Sequence, residues 1–351
     1  MKRIVYVDYL KALGIIGVII IHLSSKYLTE TQFLSPIWIQ GVAVESFVRF
    51  SIILFVMASG VLLLRKKQTV EDLPRRLKRV LLPYLFWFII YFIVKMVKVH
   101  GISYMLSISN TLNLLITALA DPTILSVQFW FVYMIVGVYL VSPIISTWVE
   151  HAKRSEIRYF LAIWFALIII SMVEFRFILV EYLNCFMGFV GYFILGHYLH
   201  NTKNVYLRSP RVGLLLYLLG VVITLLGFIL TSYFAGSNNY TFIKLGDLTL
   251  NSALQATGMF IILKNMDYTK VFGRFESSIT KLATYLSILS FGIYLSNILL
   301  INLFFKFGFY NVAVSPFINV PIFTIITILL CSVMLLILNK IPYLNKITGI
   351  T

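Results

Sequence analysis

His22 and Lys11 are the side chains of this chain best placed to do chemistry, because both are ionisable and both sit in a long apolar segment. His22 falls inside Leu13–Leu23, LGIIGVIIIHL. An ionisable group in a membrane-spanning helix gives up hydration free energy and rarely persists without a partner or a task. Imidazole titrates nearest neutral pH, so proton transfer is the chemistry to expect of it. Lys11 precedes His22 by eleven residues, and at ~100° per residue that brings a helix back to nearly the same face. Asp8, three residues before Lys11, is close enough to pair with it. Asp8, Lys11 and His22 therefore share one stripe, with Gly14 and Val18 between. Lys11 and His22 are ~16 Å apart along the axis, able to line one tunnel at two depths but not to touch. The plainer reading is that Lys11 snorkels to an interface and His22 hydrogen-bonds a neighbouring helix.

Three further groups stand out. The segment Arg65–Arg79, RKKQTVEDLPRRLKR, reads as a basic loop whose Arg76, Lys78 and Arg79 suit phosphate oxygens, because guanidinium forks bind them bidentately. Charge alone is equally served by topology or by anionic lipid. Arg49 sits in an apolar span four residues after Glu45, its nearest acidic partner, and Ser59-Gly60 would let a neighbouring helix approach closely. Gln128-Phe-Trp130-Phe-Val-Tyr133 reads as an aromatic belt at a membrane interface. His197 and His200 lack further ligands, and no metal site is expected.

The elements that must position these residues are membrane helices. The chain has 351 residues, is 60% hydrophobic and only 12% charged, too little polar surface for a water-soluble protein of this size. The apolar runs are roughly 20 residues long and do not alternate, which fits helices crossing a ~30 Å hydrocarbon core and not barrel strands. The expected fold is an all-α, polytopic helix bundle forming one integral domain over 1–351. Its ten spans are placed near 8–28, 45–64, 80–99, 128–149, 159–175, 183–200, 212–233, 247–264, 283–305 and 317–338. Lys2 and Arg3 followed by an uninterrupted apolar run without an A-x-A-like site suggest an anchor that is kept, not cleaved. Cys185 and Cys331 lie in apolar runs and read as core residues, not as a disulfide.

Ten spans put both termini on one side. With that side cytoplasmic, most of the 29 Lys and Arg fall in inner segments, and the outer ones keep Lys26, Lys95, Lys98, Arg176, Lys244 and Lys306. Cytoplasmic loops are enriched in these residues, so a cell-membrane protein with both termini inside is expected. The same asymmetry explains most of the +16 net charge without nucleic acid, which no soluble domain is present to bind.

Several stretches together resemble the acyltransferase family 3 membrane proteins, particularly the branch related to the O-acetyltransferase of enterobacterial common antigen. They are Asp8-Tyr-Leu-Lys11 with His22; Arg49-Phe with Phe55-Val-Met57-Ala-Ser59-Gly60; Arg76-Leu-Lys-Arg79 with Leu82-Pro83-Tyr84; Trp130-Phe with Tyr133, Gly137-Val-Tyr139 and Pro143; Gly191-Tyr-Phe-Ile-Leu-Gly196; and Ser290-Phe-Gly-Ile-Tyr294-Leu-Ser-Asn297. Three departures accompany the likeness. Lys11 stands where the family usually has arginine, and Gln128 and Asn297 stand where it often has histidine, so His22 is the one family histidine kept. A hydrolase-like extracytoplasmic domain is not expected beside the membrane unit.

The resemblance implies transfer of an acyl group, acetyl by expectation, from acyl-CoA to a hydroxyl of a carbohydrate or lipid-linked glycan. His22 would be general base or acyl carrier. Lys11 and Asp8 would assist, Arg76, Arg79, Lys78 and Arg49 would hold the CoA, with Lys11 or Arg49 stabilising charge on the thioester oxygen or holding a phosphate, and Glu45, Ser59, Trp130, Tyr133, Tyr294 and Asn297 would line the substrate path. The rival reading is a flippase or exporter of a glycan, although interior charge is sparse for an ion-coupled transporter.

Overall fold

The computed structural model describes residues 3–100, 107–172, 178–235, 246–342, 344 and 347–350, with backbone only at 99, 100, 178–187 and 235. Cys185, Arg176 and Lys244 therefore lie outside the described residues or side chains. All regular structure among the described residues is helical, and eight helical stretches are long and apolar enough to cross a membrane.

Helix α1 (Val5–Glu30) is the central strut. At one end Tyr9 meets Thr280 through their hydroxyls at 2.8 Å. At the other, the Tyr27 hydroxyl donates to Val314 O and that of Tyr310 donates to Leu23 O, both at 2.9 Å. The stretch expected as one helix over 45–64 is two: α2 (Pro36–Ser46) and α3 (Ser51–Leu63), parted at 47–50. Ser46 and Ser51 return their hydroxyls to Val42 O and Val48 O, and such local bonds compete with the helical ladder.

Helix α4 (Leu73–Lys95) begins seven residues before the expected 80, so Arg75, Arg76, Lys78 and Arg79 ride on its first two turns, not on a loop. Pro74 at its start is a residue suited to a helix N-terminus. A short helix that the sequence reading did not place, α5 (Ile108–Ala120), follows. Its 13 residues fall below the length that marks a span. Then come α6 (Trp130–His151), α7 (Arg154–Met172), α8 (Ile178–Asn201) and α9 (Pro210–Ala235).

Helix α10 (Leu250–Asn265) answers to the expected span over 247–264 but has only 16 residues, ~24 Å of helix. It is a core element and not a lipid-facing one. Asn251, Ser252 and Gln255 are fully buried, with Asn251 and Gln255 donating to Thr224 Oγ1 at 2.9 and 3.0 Å and Gln255 also donating to Ser46 O at 3.0 Å. The one-turn α11 (Tyr268–Phe272) and the long helices α12 (Glu276–Lys306) and α13 (Pro316–Lys340) complete the bundle.

Glycines set the helix spacing where the backbones touch. A Cβ at Gly60 of α3 would stand 1.9 Å from Phe193 O of α8, and one at Gly196 of α8 would stand 2.3 Å from Met57 O of α3. Small residues allow this approach between membrane helices, where no hydrophobic force draws helix to helix. Gly60→Val should lower stability by about 3 kcal/mol or more, read as a lower melting temperature of the detergent-solubilised protein. Gly137→Val, where a Cβ meets nothing within 4 Å, should leave it nearly unchanged.

Candidate active site

The stripe of α1 is intact in three dimensions. Lys11 and His22 are both half-buried, and among the described residues neither side chain makes a hydrogen bond or ion pair. Where the stripe looks is fixed by its neighbours. Gly14, between the two, abuts Phe55 of α3, so that a Cβ would lie 2.9 Å from that ring. Lys26, one turn beyond His22, places its ammonium 3.9 Å from the ring centroid of Phe305 on α12. The face carrying Lys11 and His22 thus opens on the seam between α3 and α12.

Asp8 does not pair with Lys11. Arg3 takes it bidentately, Nε to Oδ2 at 2.5 Å and Nη2 to Oδ1 at 3.1 Å. Helical side chains lean towards the N-terminus, so Asp8 points back at Arg3, whose planar fork fits a carboxylate better than an ammonium does. Asp8 is therefore part of a closing clamp at the helix start, and Lys11 is left uncommitted within its field.

Glu45 and Arg49 bracket the break between α2 and α3 and form an ion pair. Glu45 also accepts a hydrogen bond from Ser24 of α1 at 3.5 Å, which ties the break to the depth of His22. The Arg49 guanidinium lies over Phe228 of α9, 5.0 Å from its centroid. Asp247, in the turn before α10, also feels the Arg49 charge and in turn acts on Tyr192 and Tyr294. The sequence reading passed over this carboxylate, although an acid opening an apolar run was a visible signal.

A second polar group joins α4, α6 and α12. The Tyr294 hydroxyl donates to Gln128 O at 2.5 Å, and Gln128 Nε2 donates to Tyr91 at 2.9 Å and to Leu295 O at 3.3 Å. Gln128 is 1% exposed, so it is an interior hub and not a member of an interface belt. Asn297 is fully buried and donates to Ile293 O and Tyr294 O on its own helix, while its Oδ1 has no partner among the described residues. Phe131 packs tilted against Tyr294 with centroids 5.0 Å apart, and Phe55 meets Phe131 edge-on with centroids 6.2 Å apart. Through Phe55, which abuts Gly14, these rings reach the α1 stripe.

The basic element resolves into unequal parts. Lys78 and Arg79 are exposed. Arg76 is turned inward, with its side chain only 14% exposed and Nη2 3.3 Å from Asp72, and its Nη1 is buried without a partner among the described residues. Tyr139 of α6 lies within the field of Arg76 and beside Ser59 of α3. Arg76, Tyr139 and Ser59 therefore make a polar path from the basic end into the bundle.

Trp130 is half-buried against Phe189 at 5.6 Å. Tyr133 is 45% exposed; its hydroxyl donates to Leu119 O at the end of α5 at 3.1 Å and accepts from the buried Tyr84 of α4 at 3.4 Å, with the two rings edge-on at 5.9 Å. Phe131, Ile135 and Val138 occupy the inner face of α6, and Tyr133 is ~200° from Phe131 around the helix.

Residues 4–336 match the family model described as an acyltransferase domain. With helices that can span a bilayer over nearly the same length, the chain belongs to this family and is a multi-pass membrane acyltransferase. Neither a curated protein nor a solved structure matches it.

Truncating one partner of the Glu45–Arg49 pair should cost more than removing both. Arg49→Ala leaves a carboxylate buried at 3% exposure and should destabilise the protein by about 3–5 kcal/mol. Arg49→Met combined with Glu45→Gln should recover most of that, which thermal unfolding of the three proteins in one detergent would establish.

Proposed function

We propose that this protein moves an acyl group, acetyl in the first instance, from acyl-CoA to a hydroxyl of a cell-surface or lipid-linked carbohydrate. We further propose that His22 is the group that handles the proton or the acyl. The observation that carries the reading is the state of His22. Its ring alone, among the described histidine side chains, makes no hydrogen bond; His151, His197 and His200 are engaged by Thr147, Asn201 and Tyr6. A half-buried imidazole with both nitrogens uncommitted, facing the interior of an acyltransferase domain, suits a general base or a nucleophile.

In direct transfer, a ring nitrogen of His22 takes the proton of the acceptor hydroxyl as its oxygen attacks the thioester carbonyl. The C–S bond breaks, and the leaving thiolate collects that proton. In the two-step form a ring nitrogen attacks the thioester carbonyl, the C–S bond breaks and the thiolate takes the proton of the other ring nitrogen; the acceptor oxygen then attacks the acyl-imidazole, and its proton returns to the ring. Acyl-CoA enters from the basic end in this reading, taken as the cytoplasmic side with both termini on it. Arg76 receives a phosphate or pantetheine oxygen on its free Nη1, with Arg79 and Lys78 outside it as looser counter-charges. Lys11 serves the arm of the donor and not the reacting carbonyl, since it stands ~16 Å from His22 along the axis. Arg49 is committed to Glu45, so it shapes the site from outside the reaction. The acceptor sits against the Tyr294–Asn297 wall, where Asn297 Oδ1 is open to a hydroxyl donor. Neither a metal ion nor a nucleic acid enters the scheme, and the branch nearest to common-antigen O-acetylation is the one the motifs favour.

Two variants test this. His22→Ala should abolish acyl-CoA-dependent thiol release in native membranes while the purified protein still binds acetyl-CoA; normal turnover would sink the role of His22. Arg76→Ala with Arg79→Ala should weaken acetyl-CoA binding to the detergent-purified protein by at least about tenfold. Undiminished binding would remove the phosphate role of both.

A further inference from the structure

The basic end carries a second feature that acyl transfer as described does not use. Between the first turn of α7 and the last turn of α8 there is a cavity of about 300 Å³ whose lining includes Arg154, Arg158, Lys203, His197 and Asn201. No residue of the Arg76–Arg79 element borders it.

Three cations line this concavity, two from α7 and one from the chain just past α8, and no acid lines it. Arg154 and Arg158 are one turn apart on α7, and Lys203 comes from the chain just past α8. None of the three forms an ion pair among the described residues. The acid nearest in sequence, Glu156, accepts a hydrogen bond from the backbone N–H of Lys153 at 2.9 Å. A positive-inside bias accounts for cations scattered along loops, but not for three of them gathered around one hollow.

The backbone adds to the same sign. The N-terminus of the 19-residue α7 brings the positive end of its dipole to the cavity. The C-terminus of α8 would oppose it, yet Lys264 donates to Leu199 O and His200 O at 2.6 and 2.8 Å and so cancels the last carbonyls. Asn201 Nδ2 holds the His197 ring at 3.1 Å, and Ile157 and Tyr198 supply an apolar wall. The volume exceeds that of one bare phosphate and leaves room for part of whatever carries it.

We propose that this cavity is a phosphomonoester-binding site, distinct from the Arg76 path and independent of the acyl-transfer reading. Arg154 and Arg158 supply the forks, Lys203 supplies a point charge, and His197 and Asn201 close the polar side. The phosphate can be borne by a soluble molecule or by a lipid headgroup at the basic face.

The full chain, purified in detergent, is titrated calorimetrically with AMP and, separately, assayed by native mass spectrometry for retention of phosphatidic acid. Arg158→Ala with Lys203→Ala should weaken one of the two by at least about tenfold. Arg158→Lys should keep most of the binding, and Arg76→Ala with Arg79→Ala should not affect it. Loss for AMP identifies a soluble phosphate ligand, and loss for phosphatidic acid identifies a headgroup site. The proposal is overturned if the wild type binds neither probe, if the alanine pair binds both as the wild type does, or if only the Arg76/Arg79 variant loses binding. All the altered side chains are exposed except that of Arg76, and unchanged melting of the Arg158/Lys203 variant separates lost binding from lost fold.

Discussion

Helix α3 touches α1 at Gly14 and Gly17 and α8 at Gly60 and Gly196, and a methyl group at any of the four would meet another atom within 2.9 Å. That closeness is the constraint on which the interior rests. Lipid offers helices no hydrophobic reason to associate, so contact between backbones must come from packing and from polar groups. Because α3 sits so near both neighbours, Phe55 is pressed beside Gly14 of the His22 stripe and the Phe131–Tyr294 pair is brought up to Phe55. A bundle spaced by larger side chains would leave His22 facing lipid or packed shut.

The polar groups inside the bundle divide into those that are spent and those that are not. Asp8 is taken by Arg3, Glu45 by Arg49 and Ser24, and Gln128 by Tyr91, Ser126 and Leu295 O. Buried polar groups in a low-dielectric interior are costly unless satisfied, and these satisfied clusters hold the helices in register. Among the described residues the ring of His22, the ammonium of Lys11, Nη1 of Arg76 and Oδ1 of Asn297 are uncommitted, as are buried atoms elsewhere such as Oδ1 of Asn251, Oε1 of Gln255 and Nε of Arg49. In the acyl-CoA reading proposed above, the first four are the groups that would meet the donor and the acceptor.

Much of this was legible in the sequence because the signals were local and periodic. Apolar runs of bilayer length announced the helices, the eleven-residue interval put Lys11 and His22 on one face, and the four-residue interval paired Glu45 with Arg49. Where the sequence misled, a competing contact had won. Asp8 lay three residues from Lys11 yet joined Arg3, five residues before it, whose fork fits a carboxylate better, and Gln128 looked interfacial yet became a buried hub because the distant α12 closes over it. Helix α10 looked like one more span, but its buried Asn251, Ser252 and Gln255 show a short core helix. Helix α5 was missed because thirteen residues leave too weak a hydropathy signal.

What the sequence determined by itself was therefore the helical character of the chain, its basic and less basic ends, and the residues able to move a proton or meet a phosphate. These depend on side-chain chemistry and on the fixed repeat of the helix. The tertiary structure alone decided which of those residues are free. That His22 has no partner among the described residues, that Arg76 turns inward while Arg79 does not, and that Arg154, Arg158 and Lys203 share a hollow all depend on which helices meet. No interval along the chain encodes it, because those contacts join residues tens to hundreds of positions apart.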